Sequence, residues 1–526
     1  MRRRAYPLAL LVLALAASSA HAEINASGST TLRVERYGLR GDPRAVPWAH
    51  MGTHLYQDFA LRLHAQPDAA RRWEFNASGV MNQSEYRHAG QGLVPEWLNF
   101  RYEDGAAAVP WRLELGDQQA RFSPMTLDRR LQAVRVELQP AGGDAGHSLV
   151  WLAGREQTDW RDGIDRGNRF QGASWLVQDP SLGRYALNVV HQVAGQAAAD
   201  TDRVRLVTSL AVARDFSLWA HHDLTAEAEW GRLDGRVVRD GPQHDDGLRM
   251  QVRAVDHTLP LDYRVRYRSY GTGFAPLGTT VERDSRALDA DAGWRLPLGM
   301  GLRGRYDRHL AQASDRQLRS EGYGLSLEVP RTLGWIEWID HSWDVSRRFR
   351  SDAWGGVDSR ATEARWSIRA AGEDGSATRL AVSWVGLDDR SPADRGSRER
   401  RLALTHARTL DLGFLALSAT PGMDYRVREG YAASAVLNPT LRLDAVRGTH
   451  QLGMRLDYRT LDVGRIAERE EYGLLLDYRY RIAQHTLGVE YEQLGREPER
   501  DRDRATEAWR AGVFWRYRFD TVIGGG

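Results

Sequence analysis

The sequence predicts an all-β protein, a single large antiparallel transmembrane β-barrel. Three observations favour this fold. Segments along most of the chain alternate strictly between apolar and polar residues, which is typical of strands with two different faces. After its first residues the chain has no stretch of ~20 apolar residues that could span a membrane as a helix. Its 526 residues include no cysteine, so disulfides cannot stabilise it, whereas a closed barrel satisfies its own backbone hydrogen bonds.

The overall composition is polar, with 42% apolar residues, 27% charged residues and a mean hydropathy of −0.54. A barrel with a water-filled lumen has such an average, because only one of its faces is apolar. The 72 basic residues are all arginine and are balanced by 70 acidic residues, giving a net charge of +2. This balance gives no reason to expect a nucleic-acid partner.

The N-terminus has the three parts of a secretory signal peptide. Arg2 to Arg4 are positively charged, Leu8 to Ala17 form a short apolar run, and Ala20-His21-Ala22 forms a cleavage site. We therefore expect residues 1–22 to be the signal peptide and residues 23–526 to form the barrel. Glu23 to Ser29 are predicted to be a short leader before the first strand.

The alternation is clearest in three segments. In Leu261 to Tyr270, leucine, valine and two tyrosines occupy the odd positions as far as Tyr267, and Asp262 and three arginines occupy even positions. The same pattern recurs from Leu452 to Arg459 and from Ala505 to Phe519. A helix would spread these charges around its whole surface, so the pattern indicates strands.

The predicted connections alternate between short and long. Counted back from the C-terminus, the long ones are Leu461 to Glu468, Arg428 to Ser434, Asp388 to Arg398 and Gly271 to Arg286. Transmembrane barrels have short turns on one side and long loops on the other. The segments predict about 26 strands, within a range of 24–26. With a periplasmic C-terminus, the long connections would be extracellular.

These features together resemble the outer-membrane β-barrels of Gram-negative bacteria, including the aromatic last strand that ends Trp515-Arg516-Tyr517-Arg518-Phe519. The resemblance implies an outer-membrane location, contact with membrane lipid and lipopolysaccharide, and insertion by the barrel assembly machinery. Such barrels commonly end at a terminal aromatic residue. This chain departs from that pattern, because Asp520 to Gly526 follow Phe519.

One alternating set is predicted to line the lumen. Over the last five strands it contains eight arginines and five carboxylates, counting Asp444 among the acids. Ion pairs between strands would hold the wall in shape, and the excess of arginine would favour anions; the two roles are compatible. The lumen-lining residues predicted for the whole chain are Arg264, Arg266, Arg268, Arg303, Arg305, Arg442, Arg455, Asp457, Arg459, Asp477, Arg479, Arg481, Glu490, Glu492, Arg510, Arg516 and Arg518.

Motifs for catalysis are absent from the sequence, which has no G-x-S-x-G, H-E-x-x-H or P-loop. One strand has His221, Asp223, Glu227 and Glu229 on the same parity, and these could bind a metal. Pairing of the carboxylates with arginines of neighbouring strands is the favoured interpretation. We therefore expect no enzyme activity, no cofactor and no metal.

The functional hypothesis is a conduit for polar molecules, specifically an export or assembly channel for a polar polymer or secreted substrate. About 26 strands would enclose a lumen wider than that of porins with 16–18 strands. Because an open hole of that width would breach the permeability barrier, a folded-in loop, a periplasmic or lipoprotein partner, or the exported polymer should fill it. Two alternatives remain: a general or anion-preferring porin for small solutes, and a non-conducting scaffold or adhesin.

Overall fold

The structure of the protein is a computed structural model that describes residues 23–41, 51–83, 87, 91–142, 144–156, 168–193, 204–219, 221–237, 241–274, 284–313, 316–330, 339–463, 467–498 and 506–523. The predicted signal peptide lies outside these residues. Within them the chain forms 27 strands, numbered in chain order, of which β7 has two residues. A short 3-10 turn, Pro297–Gly299, lies between β15 and β16. Among the residues that the structure describes, no helix is long and apolar enough to cross a membrane.

The strands have the following bounds: β1 Ile24–Arg40, β2 Gly52–Ala65, β3 Arg71–Asn82, β4 Gly92–Asp104, β5 Trp111–Ser123, β6 Leu127–Leu138, β7 Ala141–Gly142, β8 Ala145–Arg155, β9 Arg169–Asp179, β10 Gly183–Val193, β11 Val204–Leu218, β12 His222–Val237, β13 Gly241–Asp256, β14 Leu261–Tyr270, β15 Ser285–Arg295, β16 Gly301–Ala313, β17 Arg316–Val329, β18 Ile339–Asp352, β19 Asp358–Ala371, β20 Ala377–Asp389, β21 Ser397–Asp411, β22 Ala416–Gly430, β23 Ser434–Arg447, β24 His450–Val463, β25 Ala467–Ile482, β26 His485–Pro498 and β27 Thr506–Ile523.

The strands close into one barrel. Each long strand pairs antiparallel with its neighbours along the chain, and β6 pairs with β8 past the two-residue β7. The barrel closes where β1 pairs with β27, from Ile24 opposite Ile523 to Arg40 opposite Glu507. The prediction of a closed antiparallel barrel of about 26 strands is confirmed, with 26 long strands. Closure leaves no sheet edge along the seam, as a strand protein in lipid requires.

The barrel wall has two chemically different faces. Residues directly opposite each other in paired strands point to the same face, so a face can be followed from strand to strand. Arg264 lies opposite Asp291, which lies opposite Arg305. On the other face, Leu456 of β24 lies opposite Leu441 and Leu474 and is 38% exposed. We call the two sides the charged face and the apolar face.

Exposed apolar side chains on most strands form an outer surface for lipid. Val265, Val489 and Val513 are each at least two-fifths exposed, although they are apolar residues in the middle of strands. A soluble protein would bury such residues, whereas a membrane barrel exposes them to acyl chains. The closed barrel and its apolar face are those of an outer-membrane barrel, and they place the protein in the bacterial outer membrane.

The two ends of the barrel differ in their connections. The turn end is the end at which Ile24 and Ile523 pair, and the loop end is the opposite one. Tight connections such as 448–449 and 483–484 lie at the turn end, and 156–168, 271–284 and 390–396 lie at the loop end. The predicted alternation is therefore correct for these connections.

Three predicted boundaries are wrong. The connections predicted as long at Arg428 to Ser434 and Leu461 to Glu468 contain only residues 431–433 and 464–466 in the structure. The reason is that β22 and β24 continue beyond their apolar, alternating segments. Polar ends of strands above the lipid look like loops in a sequence, since no apolar alternation marks them. Glu23 to Ser29 is also no leader, because β1 begins at Ile24.

The orientation of the barrel can be tested at Ala393, which is exposed in the connection 390–396. We expect the single thiol of an Ala393→Cys variant to react with a membrane-impermeant maleimide on intact cells, because the loop end is predicted to be extracellular. The chain has no other cysteine, so the label reports one position. Labelling that needs prior opening of the outer membrane would reverse the orientation.

Candidate functional site: an inner hairpin and a charged wall

The hairpin of β5 and β6 leaves the barrel wall partway along its length. β4 pairs with β5 only from Asn99 to Asp104, and β6 pairs with β8 only from Gln132 to Leu138. β5 and β6 nevertheless stay paired with each other to Ser123 and Leu127. We call residues 117–131 the inner hairpin. Among the described strands, it has ladder hydrogen bonds only within itself.

The hairpin departs from the wall at Gly116. Its φ is +97°, a backbone conformation that residues with a Cβ rarely adopt. A Cβ at this position would also lie 2.2 Å from the carbonyl oxygen of Leu98. Glycine is therefore required for the bend, and the next residue, Asp117, begins the part that turns away.

Polar side chains of the hairpin satisfy the edge of β4 that it leaves uncovered. The Asp117 carboxylate accepts a hydrogen bond from the Leu98 N–H at 2.8 Å, and the Asn99 side chain donates to the Asp117 carbonyl at 2.9 Å. Arg130 donates to the Glu96 carbonyl at 2.9 Å. Asp117 and Arg130 thus replace two of the ladder bonds that a neighbouring strand would provide.

One side of the inner hairpin carries its buried apolar residues. Ala120, Met125, Leu127 and Leu131 all have 0% exposure. Truncating a buried leucine of this kind to alanine costs about 2–5 kcal/mol, so two such leucines hold the hairpin firmly in place.

The hairpin packs against an apolar row of the wall. Leu152, Val190, Val207 and Leu233 are fully buried in one cluster with the hairpin. They lie in a single row that crosses four strands and β9, where the row contains Gly172. A Cβ on Gly172 would lie 2.6 Å from the ring of Phe122, so the missing side chain makes room for the hairpin. Phe170 and Phe274 complete the cluster.

This row belongs to the charged face. Leu233 shares its parity on β12 with Glu229, which lies opposite Arg249, and Arg249 lies opposite Arg268. The hairpin therefore covers the face that carries the predicted lumen-lining residues, and it does so over β8 to β12. On the same strands the apolar-face residues Trp151, Leu187 and Leu210 remain about half exposed, so the hairpin lies on the other, charged side of the wall.

The tip of the hairpin is fixed by hydroxyl contacts. Ser123 Oγ lies 2.8 Å from Thr126 Oγ1 and 3.3 Å from Ser209 Oγ of β11. Asn188 of β10 donates to the same Ser209 oxygen at 3.1 Å. The Glu229 carboxylate is buried beneath the tip, beside Ser123 and Ser209. Glu229 was predicted to face arginines, and it does lie opposite Arg249, but its burial under the hairpin was not predicted.

The other side of the hairpin is polar. Gln119 donates to Asp128 at 2.7 Å, and Arg121 lies 3.8 Å from the same carboxylate. Gln119, Arg121 and Arg130 are exposed. Between the hairpin and β9 to β13 lies an open recess of about 340 Å³, whose lining includes Arg121, Arg184, Glu227 and Arg249.

The predicted lumen-lining residues lie on one face and form many ion pairs. Some pairs cross between strands, as predicted: Arg264 with Asp291, Arg266 and Arg268 with Asp289, Arg303 with Asp262, Arg459 with Glu471, Glu490 with Arg33, and Arg510 with Glu492. Others join residues two apart on one strand: Arg442 with Asp444, Arg455 with Asp457, and Arg479 with Asp477. Arg516 donates to Thr31 across the seam at 3.1 Å.

The remaining predicted residues are less constrained. Within the described part of the chain, Arg305, Arg481 and Arg518 make no ion pair, although they share the parity of the charged face. The sequence count also omitted Glu471, which lies on this face and pairs with Arg459. Adding Glu471 narrows the excess of arginine over carboxylate in the last strands, but it does not remove it.

No group of three or more metal-binding side chains lies together among the residues that the structure describes. His222 and Asp256, 3.4 Å apart, are a pair rather than a ligand set. The expected absence of a metal site thus remains an expectation for the whole chain.

No family model matches the chain, and no curated protein matches it. Among solved structures, it is similar to OpdQ of Pseudomonas aeruginosa (10% identity, 69% of this chain and 98% of that chain, TM-score 0.35). It is also similar to OccK2 of the same organism, determined in complex with glucuronate (11%, 68% and 97%, TM-score 0.36), and to its siderophore receptor PirA (12%, 94% and 80%, TM-score 0.38). Likeness at this level identifies no shared substrate.

Proposed function

We propose that the protein is an outer-membrane conduit for polar molecules, in which the charged face lines a water-filled lumen. The inner hairpin is the observation that carries this proposal. Its apolar side packs on the charged face, and its polar side carries exposed Gln119 and Arg121. A hairpin with one apolar and one polar side, folded against the inside of a barrel, fits a lumen that contains water.

The proposed cargo is a polar polymer or another secreted substrate, which makes the protein an export or assembly channel. The width expected for 26 strands supports a large cargo, because barrels of 16–18 strands already leave an aqueous channel. The inner hairpin lies along β8 to β12 and narrows one side of the lumen. A periplasmic or lipoprotein partner, or the polymer itself, would then complete the seal.

A porin for small solutes is the second candidate, and the recess beside the hairpin favours it. That recess is small, and three arginines and two glutamates, Glu227 and Glu229, line it. A site of this size and charge would suit a small anionic solute. A polymer that blocks the open channel from one side would favour export, whereas block by small anions alone would favour the porin.

Ion selectivity tests the charged face. In a planar bilayer we expect the purified barrel to pass anions better than cations, with the preference fading toward 1 M salt, where the screening length is about 3 Å. Replacing Arg455, Arg479 and Arg516 together with glutamine should reduce or reverse the preference without unfolding the barrel, since Arg455 and Arg479 pair with acids on their own strands and Arg516 donates to Thr31. Cation preference of the parent protein would contradict the charge argument and leave the fold unaffected.

A further inference from the structure

Six histidines recur at equivalent places on the apolar face. Each lies in the part of its strand nearest the turn end, and each contacts an aromatic or hydroxyl side chain of another strand, which is the neighbouring strand in all but His222. The six are His147 of β8, His222 of β12, His341 of β18, His406 of β21, His450 of β24 and His485 of β26. We call them the histidine belt.

Their partners have a common chemistry. The ring of His147 lies 12° from parallel to that of Trp175, the ring of His485 lies 15° from Trp515, and the ring of His450 lies 23° from Tyr480. His341 lies between Trp343 and Trp366, with both rings within 10° of parallel to it. His222 lies 3.4 Å from the Tyr263 hydroxyl, and His406 lies 2.8 Å from the Thr378 hydroxyl. In His147, His341, His450 and His485 a near-parallel aromatic ring restricts the plane of the imidazole.

The hydrogen bonds of two members fix which nitrogen carries the proton. Trp175 Nε1 donates to His147 Nδ1 at 3.4 Å, and Trp515 Nε1 donates to His485 Nδ1 at 3.1 Å. An indole N–H can only donate, so Nδ1 must accept, and the neutral imidazole holds its hydrogen on Nε2. His406 and His450 also use Nδ1 toward a hydroxyl group. In all four, Nε2 is left to bind a group outside the protein.

The belt lies where lipid chains give way to water. His450 and His485 are exposed first residues of their strands, one residue beyond tight turns, and Leu487 and Val489 continue the apolar face from His485 toward the lipid. Aromatic side chains are common at this depth of a membrane barrel, beside the lipid headgroups. At this depth, the anionic group next to the lipid chains is the phosphate of a phospholipid.

We propose that the histidine belt binds the phosphate groups of phospholipids in the leaflet at the turn end. In His147 and His485 the Nε2–H is a donor whose direction is set by the indole hydrogen bond to Nδ1. In His406 and His450 the Nδ1 atom contacts a hydroxyl group, and Nε2 has no protein partner among the described residues. Phosphate oxygens are strong acceptors for such groups. His222 belongs to the belt by position only, because its two ring nitrogens lie beside Asp256 and Tyr263. The neutral imidazole is sufficient, because the indole partners require an unprotonated Nδ1. This proposal depends on the membrane barrel and not on the conduit function, so either can fail without the other.

Lipid retention tests the belt. We expect folded protein, purified in mild detergent, delipidated and then mixed with phosphatidylglycerol, to retain several lipid molecules in native mass spectrometry. A variant with leucine at His147, His406, His450 and His485 should lose most of them. The same four positions changed to glutamine should retain more lipid than the leucine variant, because an amide still donates an N–H.

His191→Leu is the control, since His191 lies on the apolar face near the loop end of β10. It should retain lipid like the parent. Folding of every variant is checked by the heat-dependent migration of the barrel in gels. Equal retention by the parent and the leucine variant would overturn the proposal, as would an equal loss in His191→Leu. Retention of lipopolysaccharide in preference to phosphatidylglycerol would show that the turn end faces the other leaflet and would also overturn it.

Discussion

Leu456→Arg is expected to block assembly of the barrel. Leu456 lies in β24 on the apolar face, flanked by Leu441 and Leu474 on the neighbouring strands. An arginine on the lipid face near the bilayer midplane costs about 2 to 4 kcal/mol. Because a charged side chain here has no neighbouring acid on its own face, nothing in the wall offsets that cost. The measurement is the fraction of heat-modifiable, folded protein in isolated outer membranes.

Asp457→Asn is the matched control, one residue along the same strand. Asp457 lies on the charged face and pairs with Arg455 at 2.7 Å. Both side chains are partly exposed, and such pairs contribute about 0–1 kcal/mol, so the variant should assemble normally. Equal loss of folded protein in the two variants would mean that the two faces have been assigned wrongly.

The fold could be predicted from the sequence because its signal is local and repeated. In a strand such as β14 the residues themselves distinguish the two faces, because Arg264 and Arg266 are separated by Val265. Closure is then a physical requirement, since no open edge is stable in lipid. The pairing partners of the arginines were less predictable. Arg455 reaches along its own strand to Asp457, because the long guanidinium side chain can span two residues as easily as it can cross to the next strand.

The inner hairpin could not be predicted from alternation alone. Its apolar residues Ala120, Phe122, Leu127 and Leu131 have the opposite parity to the apolar residues of the same strands in the wall, and Arg129 interrupts this apolar set on β6. Had β5 and β6 continued in the wall, Gln119, Arg121 and Arg130 would have pointed to the apolar face, while Leu127 and Leu131 would have pointed to the charged one. The inversion is visible in the sequence once the parity of Val134 and Val136 is carried back along β6. This inversion indicates that the hairpin leaves the wall, because in the wall its polar residues would face lipid.

Two independent features make the folded-in position permanent. Gly116 provides the bend, and the row containing Val190 and Val207 provides an apolar surface on the charged face. Such a row would be costly in an open lumen, because it would expose apolar area to water. The apolar row therefore accounts for where the hairpin packs, and the hairpin accounts for the presence of apolar residues on the charged face.

The position of the hairpin can be measured with a disulfide. In this cysteine-free chain, Ser123→Cys combined with Ser209→Cys should form a crosslink on mild oxidation, since the two hydroxyl oxygens lie 3.3 Å apart. The crosslinked protein should migrate differently from the reduced form in denaturing gels. Failure to crosslink in a folded barrel would place the tip elsewhere.

Removing the hairpin is expected to raise the single-channel conductance by about twofold or more, because it takes a folded element out of the ion path. The variant replaces residues 119–129 with a short glycine-serine linker and keeps Asp117 and Arg130, which satisfy the edge of β4. The crosslinked Ser123→Cys/Ser209→Cys protein should conduct like the parent, because the hairpin is already fixed in that position.

The same linker in place of 353–357, at the same end of the barrel, is the control and should leave conductance unchanged. A folded hairpin-deletion variant that conducts like the parent would show that the hairpin lies outside the ion path. If neither the parent nor any variant conducts, even after any bound partner protein has been removed, the conduit proposal is contradicted and a non-conducting scaffold is favoured.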